Sequence, residues 1–325
     1  MVTRKMGIIA LLFCFCLSLM PPYAQAASTA DAKEPIVTDR ECTLSVCYGY
    51  EDTVFSGQTV QLYQVADVSS GGQYTLTNAF AASELILNGI QTNGEWNVIR
   101  STLETHIVAD YIAPTQTVTT DTNGQAQFAR LNPGLYLVSA VEVAQDDLSC
   151  SFDSTLVALP GLDTDGLWQY EVTVSAKPQV LPPVQPDETL QFTVLKLWKG
   201  DENHSDRPTS IEVEIFRDGI SVETVVLSSD NQWSYSWTAK DDGASWKVIE
   251  RNVPTGYTMT VEQRESTFLL TNTKVPENPD QPTPKPPSTG DTANIMFYTI
   301  LLYASGTMLL LMGIAGKRKR HEETN

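Results

Sequence analysis

Two strips of proline fix where this chain can fold. Pro178 to Pro186 carries four prolines in nine residues, and Pro276, Pro279, Pro282, Pro284, Pro286 and Pro287 form a second strip. Proline lacks the amide donor that helices and sheet ladders need, so neither strip can run through the middle of an element. The strips read as a semi-rigid linker, 178–190, and a polyproline-like stalk, 276–287. They leave two segments able to fold, 39–177 and 191–275. Residues 27–38, ahead of the first segment, are polar and read as disordered.

Both segments are written in short alternating runs punctuated by Gly, Asn, Asp and Pro. Thr59-Val60-Gln61-Leu62-Tyr63 and Gly134-Leu135-Tyr136-Leu137-Val138 are examples. Strands at this spacing predict an all-β chain of two tandem sandwiches. One insertion differs: Trp96, Ile99, Leu103 and Ile107 recur at helical spacing. They predict a helix over 94–110 that packs its apolar stripe on the first sandwich.

The two ends read as addresses rather than as folded structure. Arg4 and Lys5 precede the apolar run Gly7 to Met20, followed by Pro21-Pro22 and the small-residue site Ala24-Gln25-Ala26. That order predicts a secretory signal peptide, 1–26, cleaved after Ala26. At the other end, 295–314 is a run of apolar-dominated residues followed by Lys317-Arg318-Lys319-Arg320. At ~1.5 Å per residue the run matches about 30 Å of hydrocarbon, and the basic cluster favours the cytoplasmic side. Pro286-Pro287-Ser288-Thr289-Gly290 stands just before it. Motif, span and basic tail together, 286–325, resemble a sortase sorting signal. The resemblance implies cleavage between Thr289 and Gly290 and transfer of the Thr289 carbonyl to a wall or pilus amine. The family's motif begins with Leu where this chain has Pro286.

The net charge is −18, and both removable ends are basic, so the exported part is more acidic still. Such a surface repels phosphate backbones, which disfavours nucleic acid as a partner, and none is expected. Export permits a disulfide. Cys42 and Cys47 lie in one strand, roughly 16 Å apart and on opposite faces at ~3.3 Å per residue, too far to bridge. A bridge would therefore use Cys150, with Cys42 slightly preferred; three unpaired thiols are the alternative. Three scattered histidines, His106, His204 and His321, make no metal cluster. Asp201-Glu202-Asn203 with Asp206 lacks the spacing and glycine of an EF-hand and reads as a solvated loop. No nucleophile elbow, phosphate loop or HExxH occurs, and no metal or cofactor is implied.

The second segment carries three polar residues in apolar company. Phe192, Val194 and Lys196 alternate onto one face, as do Trp246, Val248 and Glu250, and Phe268, Leu270 and Asn272. A buried amine, carboxyl and carboxamide cost several kcal/mol unless they meet. Around them stand Val194-Leu195-Lys196-Leu197-Trp198, Arg207-Pro208, Asn231-Gln232-Trp233-Ser234-Tyr235-Ser236-Trp237, Val248-Ile249-Glu250-Arg251-Asn252-Val253-Pro254-Thr255-Gly256-Tyr257 and Leu270-Thr271-Asn272-Thr273. These pieces resemble the Cna protein B-type domain. The resemblance implies a self-made isopeptide bond, with Lys196 as nucleophile, Asn272 as acyl donor and Glu250 as proton shuttle. Burial lowers the lysine's pKa, so that a neutral amine can attack. The event occurs once per molecule, so it is self-processing and not enzymatic turnover. The alternative is a buried, hydrogen-bonded pair without bond formation.

In the first segment, the run from Thr120 to Val138 resembles the hairpin of transthyretin-like pilin domains, with Asn123-Gly124 as a tight turn. The fold class is therefore two tandem immunoglobulin-like or transthyretin-like β-sandwiches. No lysine lies between Lys33 and Lys177, which excludes a second lysine-based bond within 34–176. Trp168, Val172, Val174 and Lys177 fit the spacing of the pilin motif WxxxVxVYPKN, although Ser175, Ala176 and Pro178 replace its Tyr, Pro and Asn. The resemblance implies that Lys177 accepts the next subunit's carbonyl; a solvated lysine at a domain boundary is the alternative. Together these readings describe a secreted surface protein, resembling a pilin subunit, attached to peptidoglycan or to neighbouring subunits by a sortase. The alternative is a monomeric wall-anchored adhesin that binds a host or cell-surface ligand through its first domain.

Overall fold

The structure, a computed structural model, describes residues 32, 34–140, 143–145, 148–180, 188–201 and 207–275. The expected signal peptide, stalk, sorting motif and 295–314 span lie outside these residues. Among the described residues no helix is long and apolar enough to cross a membrane.

The N-terminal part begins with β1 (Cys42–Cys47), β2 (Gly49–Tyr50), β3 (Thr53–Val54), β4 (Thr59–Val68) and β5 (Tyr74–Leu76). Helix α1 (Asn93–Ala109) follows, then β6 (Gln116–Thr119), β7 (Gln125–Leu131), β8 (Gly134–Ala140) and β9 (Val143–Gln145). The part closes with β10 (Leu148–Phe152), β11 (Thr155–Leu159), β12 (Gly161–Leu162), β13 (Trp168–Gln169), β14 (Glu171–Ser175) and β15 (Pro178–Val180). The C-terminal part holds β16 (Thr189–Lys199), β17 (Ser210–Arg217), β18 (Ile220–Ser228), β19 (Ser234–Lys240), β20 (Trp246–Arg251), β21 (Tyr257–Arg264) and β22 (Thr267–Lys274).

Sheet β14-β1-β7 faces sheet β11-β8-β4-β5, and β6 also pairs with β4. Leu44, Val46, Phe128 and Val172 from the first sheet meet Val60, Leu62, Tyr136 and Val157 from the second. The second sheet is covered on its other face too, where Tyr63, Val65, Leu135 and Leu137 receive Trp96, Ile99 and Leu103 of α1. Burial on both faces explains why Gly134 to Val138 is buried without alternation. Each large α1 anchor contributes about 1.5–3 kcal/mol by leaving water. The helix starts at Thr92, whose hydroxyl accepts from the Glu95 amide while the Glu95 carboxylate accepts from the Thr92 amide.

Three expectations need correction. The Thr120–Val138 run is not a hairpin: β7 joins β1, and β8 joins β4 and β11, so the chain changes sheets at Asn132-Pro133. The Asn123-Gly124 turn is present, closed by the Gly124 amide on the Asp121 carbonyl (3.0 Å). Gly124 is required there, because its φ is +71° and a Cβ would sit 2.4 Å from the Tyr48 carbonyl oxygen. The linker starts later than the prolines suggest, since Pro178–Val180 pairs with β10 as β15. Pro178 sits at the strand's first residue, where proline is tolerated. Residues 34–37 are tied down rather than free. Ile36 is buried with its amide on the Ser70 carbonyl, the Val37 amide donates to Tyr170 Oη, and Trp168 Nε1 donates to the Glu34 carbonyl.

The C-terminal part is a second sandwich, sheet β19-β16-β22-β21 against sheet β18-β17-β20. Strands β16 and β22 lie side by side in parallel, Lys196 in register with Leu270 and Trp198 with Asn272. The core between the sheets includes Phe192, Val194, Val213, Ile215, Val248, Phe268 and Leu270.

Candidate functional site

Alternation places three polar side chains inside this second core. Lys196 follows Val194 on β16, Glu250 follows Val248 on β20, and Asn272 follows Leu270 on β22; all three are buried. Two come from one sheet and Glu250 from the sheet opposite, so they meet across the sandwich. Lys196 Nζ donates to Glu250 Oε2 at 2.5 Å, and Asn272 Nδ2 donates to Glu250 Oε1 at 2.9 Å. The Lys196 and Glu250 side chains are both 0% exposed. Burial pulls the Lys196 amine from 10.5 down to about 8, against the opposing charge and hydrogen bond of Glu250. Asn272 Oδ1 is buried with no protein partner among the described residues.

Aromatic rings close the end of the sandwich next to the amine. Lys196 Nζ lies 4.8 Å from the centroid of Trp198. Trp198 is packed edge-on by Trp233 and Tyr257, at 5.6 and 5.3 Å between centroids. The Arg207 guanidinium covers the same indole at 5.4 Å. Arg207 is held by Asp201 through two hydrogen bonds of 2.6 Å, and Tyr257 Oη donates to Asp201 at 2.9 Å. Asp201 is therefore engaged in an ion pair and is not the solvated loop acid its neighbours suggested. The acid-rich context of 201–206 hid this role; Arg207, six residues on, was its only signal.

The described residues contain no group of three or more His, Cys, Asp or Glu side chains able to hold a metal ion. Amine, acid and carboxamide thus stand in contact in a site closed to solvent. Residues 192–273 match the Cna protein B-type domain.

Around that B-type stretch, similarity is local. The collagen adhesin of Staphylococcus aureus is 34% identical over 106 residues, covering 30% of this chain. The chain spans 9% of that relative's length. A single B repeat unit of the Staphylococcus aureus collagen-binding surface protein aligns over 73% of this chain and 99% of its own, at 18% identity and a TM-score of 0.26. The major pilin SpaD of Corynebacterium diphtheriae covers 74% of this chain and 65% of its own, at 15% identity and a TM-score of 0.29. The shaft pilin spaA of Lactobacillus rhamnosus GG covers 74% of this chain and 100% of its own, at 15% identity and a TM-score of 0.25. Superpositions this loose carry no argument about mechanism.

The other sequence-derived positions fall as follows. Lys177 is exposed between β14 and β15, with its carbonyl accepting from the Asp153 amide at 3.3 Å. Trp168 is half-buried, and Val172 and Val174 are buried. Cys42 is a buried free thiol, which burial pushes up to about 12, rather than one end of a bridge to Cys150. Strand β1 and strand β10 belong to different sheets. Cys47 is also a free thiol. Pro286 to Gly290 lie outside the described residues.

Proposed function

We propose that this chain is a wall-anchored, pilin-like surface subunit whose C-terminal sandwich welds itself with a Lys196–Asn272 isopeptide bond. One observation carries the reading: Glu250 touches both reactants, one carboxylate oxygen on the amine and the other on the carboxamide, in a pocket without solvent. Glu250 takes a proton from Lys196, leaving a neutral amine. The amine attacks Asn272 Cγ, the new C–N bond forms, and the C–Nδ2 bond breaks. Glu250 relays the attacking nitrogen's proton to Nδ2, which departs as ammonia. Fixed proximity supplies much of the rate, since neither reactant has to be brought in.

The bond joins the first and last strands of the part and closes a loop of ~76 residues, which by chain entropy stabilises the fold by roughly 4–5 kcal/mol. Anchoring follows from the tail: a sortase cuts after Thr289, and the acyl group passes to peptidoglycan or to the next subunit. Lys177 is the acceptor on that next subunit, supported by its exposure and by the buried Val172 and Val174 that hold β14 in place.

Intact-mass measurement tests the weld: wild type should be lighter than its sequence by one ammonia, and Lys196→Ala should keep that mass. Equal masses would refute it. Detergent-resistant ladders from wall extracts test polymerisation. They should vanish in Lys177→Arg and in Thr289→Ala, and a ladder that persists in Lys177→Arg removes Lys177 from the scheme.

A further inference from the structure

The open side of the C-terminal sandwich is closed by a helix from the other part of the chain. Among the described residues β20, which carries Glu250, has a strand neighbour on one side only, β17. β21, which pairs with Asn272 through Met259, is the last strand of the opposite sheet. These two edges lie together, and α1 packs on both.

The contacts are specific. The Val261 amide, on the free side of β21, donates to Thr102 Oγ1 at 2.8 Å. Thr102 is 0% exposed, and its hydroxyl in turn bonds the Val98 carbonyl at 2.8 Å. On β20, Lys247 Nζ reaches Glu104 Oε2 at 2.8 Å. Arg251 donates to Asp110 Oδ1 at 3.0 Å and to the Ala109 carbonyl at 3.1 Å, while its Nε holds Glu214 at 2.7 Å. Ala109 is part of the apolar cluster of Val248, Met259, Val261 and Leu270, with Val108 packed against it. A buried edge amide needs an acceptor, and an uncovered edge admits water. Here α1 supplies the acceptor and keeps water from the layer where Glu250 and Asn272 sit.

We propose that α1 is a wall of the crosslinking centre, so that the Lys196–Asn272 bond forms only once the N-terminal part has docked onto β20 and β21. The inference rests on the isopeptide reading above. Thr102, Lys247 and Arg251 act as positioning residues, since none of them touches the reacting atoms. Without the wall, water reaches the trio and the amine holds its proton more tightly, so a smaller fraction is neutral at any given pH. Chain order suits this dependence, because α1 precedes every strand of the sandwich it closes. A molecule whose first part has not folded stays unlocked and can still rearrange.

The test follows ammonia loss in the full ectodomain made by cell-free synthesis, with acid-quenched time points weighed intact at several pH values. Thr102→Val keeps the side-chain shape but leaves the Val261 amide buried without an acceptor. Lys247→Ala removes one rim contact and should keep the fold, checked by near-ultraviolet circular dichroism. Both should react more slowly, with pH profiles displaced upward by about one unit, a tenfold loss of rate at neutral pH. Thr102→Ser should restore wild-type behaviour. Variants that match a reacting wild type in rate and pH profile overturn the wall alone. A wild type that keeps its ammonia overturns the crosslink, and this inference with it.

Discussion

Replacing Glu250 with glutamine changes almost nothing in shape and removes the one carboxylate that, among the described residues, contacts both amine and carboxamide. The amide introduced by Glu250→Gln has the same shape, its oxygen accepting from Lys196 Nζ and its nitrogen donating to Asn272 once the Asn272 amide turns its Oδ1 inward, where Nδ2 now donates to the carboxylate. It cannot accept the amine's proton, so no ammonia should leave. Losing the closure of a ~76-residue loop forfeits roughly 4–5 kcal/mol. For a part of this size one kcal/mol corresponds to about 4–8 °C, so the C-terminal transition should fall by roughly 16–40 °C. Intact mass reads the chemistry and differential scanning calorimetry reads the stability, on the same sample. A Glu250→Gln protein that has lost ammonia to the wild-type extent refutes the shuttle. One that keeps its ammonia but melts with wild type refutes the claim that the bond stabilises the fold.

Burial pulls the folded Lys196 amine from 10.5 down to about 8, and the uncrosslinked variant Asn272→Ala should keep that amine free and buried. The unfolded chain then binds more protons across that window, so stability should rise from pH 8 to pH 10.5 by about 3 kcal/mol; denaturant midpoints across the window check the sign. Gly124→Ala should cost about 2 kcal/mol or more, because a left-handed backbone and the Tyr48 carbonyl both oppose a Cβ there, and the loss should show in the unfolding of the N-terminal part. Cys42 should resist alkylation at neutral pH until the N-terminal sandwich is unfolded, because burial holds its thiol near 12; rapid labelling of Cys42 in folded protein would contradict the packing around β1.

The trio was legible in the sequence because each member breaks a two-residue rhythm in a short strand, and a polar residue in an apolar rhythm announces a buried partner. The α1 anchors Trp96, Ile99 and Leu103 were legible for the same reason at helical period. The other face of α1 was not. Thr102, Thr105 and His106 are buried, and nothing in the local pattern marks them, because what covers Thr102 is Val261, 159 residues away. Polar residues covered by a distant segment leave no local signature. Pattern also could not separate β7 from β8: a turn between two strands looks alike whether they pair or diverge into facing sheets. Proline misled at Pro178, where only the register with β10 reveals a strand. Lys177 is exposed, as its place at the end of β14 suggested, but the sequence could not show that the chain beyond it stays in a sheet.

Parallel neighbours β16 and β22 set how this molecule behaves as a rope. Tension arriving at Thr189 would run along seven residues to Lys196, cross to Asn272 and leave at Lys274. The intervening chain, ~76 residues or about 25 nm when drawn straight, would be withheld from extension. Stretched singly, a joined molecule would show no release of that length before the covalent backbone itself gives way.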